Sequence, residues 1–183
     1  MKNKLFNPKN NKLYKFSKQV GSSTPELFHI SFRDNLEGKW SPKRPDGDYD
    51  AEAATGDLPE TVEERISVSP SIEQCFQAIY ANVKHFYKEG EIEELTFYVY
   101  TPVFKGDERI VYPEALVRQK LVHDAHITKE HCIISPTFMK LKGKVRIKQP
   151  DPKNNVDYYA YGVKTSKGFY GWLPGEIKVK VIK

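Results

Sequence analysis

Residues 65–87 read RISVSPSIEQCFQAIYANVKHFY, and the fold class follows from the change of period inside this stretch. Ile66 and Val68 alternate with Ser67 and Ser69, the two-residue repeat of a strand. From Ile72 onward the apolar residues Cys75, Phe76, Ile79, Tyr80, Val83, Phe86 and Tyr87 recur at steps of three and four, which lays one stripe along a helix. Ser69 as N-cap, Pro70 in the first helical position and Glu73 in the first turn suit the helix start, and Lys88 and Gly90 suit its end. The unit is a strand, a tight turn and a helix with one apolar face. Such a face needs a sheet to cover it.

Working outward, 27–31 (LFHIS) alternates and reads as a strand, as does Leu95–Phe104 (LTFYVYTPVF), rich in β-branched and aromatic residues. Residues 130–136 (EHCIISP) form another short strand, and 139–148 (MKLKGKVRIK) alternates like an exposed one. Pro113 to Val122 is expected to hold a helical turn. The stretch 157–173 reads as a hairpin turning at Thr165–Gly168. Strands that do not alternate regularly with helices imply an α+β class, with mixed or antiparallel sheets and one main amphipathic helix. The expected organisation is a polar lead-in over 1–25, a core domain over 26–148, and an aromatic hairpin packed on it over 149–183.

The helix stripe is to pack on a sheet containing the 27–31, 66–69 and 95–100 strands, with Phe76 and Ile79 almost fully buried. The segment 35–50, with Gly38, Pro42, Pro45 and Gly47, reads as a loop that carries Lys39, Lys43 and Arg44. It runs on into 46–64, which holds eight acids and no Lys or Arg. That run is expected to be a long mobile loop.

With 183 residues the chain suits one domain with small additions. Its net charge of +5 conceals the acidic run; the remainder has sixteen acids against 29 bases, an excess suited to an anionic ligand or polyanion. No apolar run approaches the roughly 20 residues of a bilayer span, and MKNKLFNPKNNKLYKF at the N-terminus lacks the apolar region of a signal peptide. Cys75 and Cys132 read as buried reduced thiols. These features favour a cytoplasmic protein with no membrane partner. His123, His126 and His131 do not share the spacing of a metal site.

Three segments together form a pattern. Leu27-Phe28-His29-Ile30-Ser31 comes first, then Arg65-Ile66-Ser67-Val68-Ser69-Pro70 leading into the helix, and last Thr128-Lys129-Glu130-His131-Cys132-Ile133-Ile134, with an acid at a strand entrance. In order and spacing this resembles the ADP-ribosyltransferase superfamily, in its diphtheria-toxin-like and poly-ADP-ribose-polymerase-like branch. The resemblance covers residues 27–135. It departs from the polymerase pattern in the second strand, where Ser67, Val68 and Ser69 stand in place of Tyr; Tyr80 or Tyr98 is the aromatic that would have to serve instead.

The resemblance implies an NAD-consuming mono-ADP-ribosyltransferase of bacterial or phage-related type, with NAD as substrate and a protein or nucleic acid as acceptor. Glu130 is then the catalytic acid, His29 holds the adenosine-side ribose, Ser31 or Ser67 meets the nicotinamide carboxamide, and Arg44 meets the pyrophosphate. The chemistry stands apart from the family. Breaking the nicotinamide–ribose bond develops positive charge on the ribose, which a carboxylate stabilises. Two other readings remain open: a catalytically silent nucleotide- or protein-binding module of the same fold, and a basic nucleic-acid-binding protein using Tyr158, Tyr159, Tyr161, Phe169, Tyr170 and Trp172 among lysines.

Overall fold

A computed structural model describes residues 9, 11–44, 63–79, 94–122, 124–148, 163–165, 168–170 and 179–182. In chain order the strands are β1 (Lys18–Gln19), β2 (His29–Ser31), β3 (Gly38–Trp40), β4 (Ile66–Val68), β5 (Glu94–Val103), β6 (Arg109–Val111), β7 (His131–Ile133), β8 (Thr137–Lys148), β9 (Val163–Thr165), β10 (Gly168–Tyr170) and β11 (Val179–Ile182). The helices are α1 (72–79), α2 (Pro113–Arg118) and α3 (Ala125–Thr128), with a 3-10 turn at Lys12–Phe16.

Two antiparallel sheets carry the α+β fold. One runs β1-β6-β7-β4; the other runs β11-β8-β5-β2, with β3 added to the start of β8. β9 and β10 form a separate hairpin in which Gly168 pairs with Thr165, as the sequence led one to expect. The two sheets meet where Phe28 and Ser69 exchange both backbone hydrogen bonds, at 2.8 and 2.9 Å, so β2 lies alongside the end of β4.

Three apolar clusters separate the layers. Phe76 and Cys75 of α1 pack on Ile30, Leu95, Phe97, Val99 and Val145. Leu27, Ile66, Val68, Tyr100, Ile110, Ile133 and Met139 fill the space between the sheets. Leu13, Val111, Leu116, Val122, Ala125, Cys132 and Ile134 join the outer face of the first sheet to α2, α3 and the 3-10 turn. Along β7, Ile133 faces one cluster while Cys132 and Ile134 face the other, as strand alternation requires.

A bulge lets β8 serve two cores. Val99 pairs with Gly143 but Tyr100 pairs with Leu141, so Lys142 is an extra residue on β8. Without it Met139 and Val145, six residues apart, would point the same way. With it Met139 reaches the cluster between the sheets and Val145 reaches α1. Gly143 takes φ +157°, a backbone state that favours glycine.

Several sequence expectations are corrected. The α1 face packs on the β2–β5–β8 sheet and not on β4, because β4 pairs with β7 in the other sheet. Phe76 is fully buried, whereas Ile79 is half-buried at the edge of its cluster. The helix cap is Ser71, whose hydroxyl accepts from the Gln74 N–H at 3.2 Å. Ser69 lies two residues before the cap, its backbone in the bridge with Phe28. The 35–50 stretch contains β3, and its last described residues return to pair Lys43 with Arg65.

The lead-in is built into the fold from Asn11 onward: Leu13 is completely buried and β1 pairs with β6. Residues 46–62 of the acidic run and 80–87 of the stripe lie outside the described residues. No helix among the described residues is long and apolar enough to cross a membrane.

Candidate functional site

Antiparallel pairing in register brings three distant segments together. β7 pairs with β4 so that Ser67 stands opposite Cys132 and Val68 opposite His131. The Phe28–Ser69 bridge then places β2 beside β4. β2 belongs to the other sheet and meets β4 only at this bridge; by alternation His29 shares the face of Tyr100 and Val68, toward the cluster between the sheets, whereas Glu130 shares the opposite face with Cys132.

His29 is fixed by two contacts. Its Nδ1 lies 2.9 Å from the Ser67 carbonyl oxygen, and its ring meets Trp40 edge-on with centroids 5.0 Å apart. A carbonyl only accepts, so Nδ1 carries the proton and Nε2 is left as an acceptor. Desolvation holds the His29 pKa below its ordinary value; the Ser67 carbonyl and the Glu130 charge pull the other way. The imidazole is neutral near pH 7, and it feels the Glu130 carboxylate.

Glu130 sits at the entrance to β7 after Lys129, which takes a left-handed conformation with φ +50°. Only 6% of Glu130 is exposed. Arg65 Nε stands 3.5 Å from Glu130 Oε1 and also donates to Ser67 Oγ at 3.3 Å. Cys132 Sγ donates to the same Oε1 at 3.6 Å. Alternation explains the grouping, because Arg65 and Ser67 on β4 share the face of Glu130 and Cys132 on β7. Arg65 is anchored in turn by backbone hydrogen bonds with Lys43 at 2.8 and 3.2 Å.

Asp124 enters the same electrostatic neighbourhood. Its pKa is pushed up to about 7, first by desolvation and then by the Glu130 charge, with Arg65 opposing. Sequence reading missed both Arg65 and Asp124. For Arg65 a signal existed: two residues before Ser67 on a strand, it had to share that side chain's face. For Asp124 there was none.

The other two candidates stand further off. Ser31 lies on β2 opposite Tyr98, two residues beyond His29 on the same face, and its Oγ accepts from the Arg33 N–H at 3.2 Å. Arg44 is exposed, one residue past the Lys43–Arg65 bridge. The two cysteines are buried, and burial pushes the Cys75 thiol up to about 12. Cys75 Sγ donates to the Phe28 carbonyl at 3.1 Å.

Family models, curated proteins and solved structures offer no match to this chain. Fold and site define an α+β protein with a buried Arg65–Glu130 pair between β4 and β7 of one antiparallel sheet, and His29 where that sheet meets the second.

Proposed function

We propose that this protein is an NAD-consuming mono-ADP-ribosyltransferase, with the seam of β2, β4 and β7 as its active site. The observation that carries the reading is adjacency: the Phe28–Ser69 bridge and the β4–β7 register bring the segments of His29, Ser67 and Glu130, separated by 38 and 63 positions, side by side. Electrostatic coupling between His29 and Glu130 supports it.

In this reading the unprotonated Nε2 of His29 accepts a hydrogen bond from a ribose hydroxyl and fixes the dinucleotide's pose. The Glu130 carboxylate lies against the scissile glycosidic bond. As nicotinamide leaves with the bonding electron pair, positive charge grows on the ribose C1′ and ring oxygen, and Glu130 stabilises it. The acceptor nucleophile then takes C1′ and gives up its proton. The Ser31 or Ser67 hydroxyl, each already accepting one hydrogen bond, retains a proton to donate to the carboxamide oxygen. Arg44 contributes charge for the pyrophosphate from the edge of the seam.

A second reading is favoured by one observation. The side chains of Arg65 and Glu130 are only 5% and 7% exposed and neutralise each other, which suits a silent nucleotide-binding module of the same fold. Incubation with NAD and cell lysate separates the two. The transferase releases nicotinamide and labels a protein or nucleic acid. Glu130→Gln lowers that turnover by orders of magnitude with NAD binding largely kept, and His29→Ala weakens binding. Saturable NAD binding without nicotinamide release establishes the silent module; equal turnover in Glu130→Gln and parent removes Glu130 from the chemistry.

A further inference from the structure

We infer that Arg65 is the positioning residue of this site: its guanidinium, anchored on β4, fixes the Glu130 carboxylate. The inference rests on the transferase reading for its kinetic consequence, and on geometry alone for the rest. Arg65 forms an ion pair with Glu130, its Nε 3.5 Å from Oε1, and Cys132 Sγ donates to the same oxygen at 3.6 Å.

Arg65 is itself immobilised. Its backbone pairs on both sides with Lys43, its Nε is shared with Ser67 Oγ, and its side chain is 5% exposed. A glutamate has three side-chain torsions to order, and a buried guanidinium anchored on a strand orders them before substrate arrives. A misplacement of about 1 Å at a reacting group costs on the order of 10²-fold in rate, so such an anchor has a measurable consequence.

The test compares Arg65→Met and Arg65→Lys with the parent protein. For Arg65→Met, kcat for nicotinamide release should fall by about 10²-fold while KM for NAD changes little. Arg65→Lys should restore only part of the rate, because an ammonium returns charge without the fixed geometry of a guanidinium.

Ser67→Ala, which removes only the shared hydroxyl, is the milder variant should Arg65→Met fail to fold. It should lower kcat in the same sense but by less. A folded Arg65→Met or Ser67→Ala protein with the parent's kcat overturns the assignment. If the parent releases no nicotinamide, the transferase reading fails by itself and the anchor is read by the double-variant cycle of Arg65→Met and Glu130→Met in urea: non-additive losses sustain Arg65 as the anchor of Glu130, and additive losses overturn it.

Discussion

The core under α1 and the seam between β4 and β7 are equally well buried and differ in what is buried there. Under α1 the interior is Phe76, Phe97, Leu95, Val99 and Val145, with Phe76 and Phe97 rings edge-to-face at 5.9 Å. Its stabilisation is packing and removal of apolar area from water. At the seam the protein encloses Arg65, Glu130, His131, Thr128 and Ser69. Burying an ion pair of that kind stabilises a fold little, since desolvation takes back most of the Coulomb gain. The first region needs no explanation beyond folding. The second costs stability that leucines would not cost.

That contrast can be broken most directly at its apolar end. Phe76→Ala should destabilise the protein by about 3–5 kcal/mol through lost transfer energy and the cavity left among Phe97, Ile30 and Cys75. Its denaturant midpoint should drop accordingly. A midpoint equal to the parent's would mean that α1 contributes nothing to the core.

The polar end has its own signature. Arg65→Met or Glu130→Met alone leaves one buried charge unpartnered and should cost about 3–5 kcal/mol. The double variant Arg65→Met/Glu130→Met should cost much less than the sum of the two, and be near neutral if the methionines pack. Urea titrations of the four proteins give the coupling directly. Additive losses would show that the pair is not an energetic unit and would remove the contrast between the regions.

The smallest effect is in pH dependence near neutrality, where Asp124 titrates and Cys75 of the apolar core, raised to about 12, does not. Asp124 is raised from 3.8 to about 7 in the folded protein. A raised pKa means its contribution to stability is complete below pH 3.8 and is lost as pH rises toward about 7. His29, lowered below 6.5, acts in the opposite sense: its contribution is present above pH 6.5 and is lost as pH falls. Comparing Asp124→Asn with the parent isolates the first group, because His29 is common to both. The stability difference in favour of Asp124→Asn should grow from pH 4 to 7 and stay level above. A flat difference across that window would mean that neither burial nor the Glu130 charge raises Asp124 in the folded protein.

Short-range pattern was enough for much of this protein. The alternation of Ile66 and Val68, the three-and-four spacing from Ile72, and the apolar β5 sequence all name their own secondary structure, because burial of one face imposes a period on neighbouring residues. The α+β class and the full burial of Phe76 follow from that alone. The order His29, Ser67, Glu130 was visible too, as three short motifs with no physical link between them in one dimension.

Long-range pairing decided the rest. Which sheet β4 joins depends on its register with β7, 65 positions away, so the local alternation of Ile66 and Val68 was compatible with either. The extra residue at Lys142 sends Met139 and Val145 to opposite cores, a consequence only of where the β5 register shifts. Arg65 reads as a polar residue before a strand until β7 delivers Glu130 to its guanidinium. Ion pairs between strands distant in sequence have no period to announce them, and this is why the partner of the predicted acid came from the tertiary structure and not from the text of the chain.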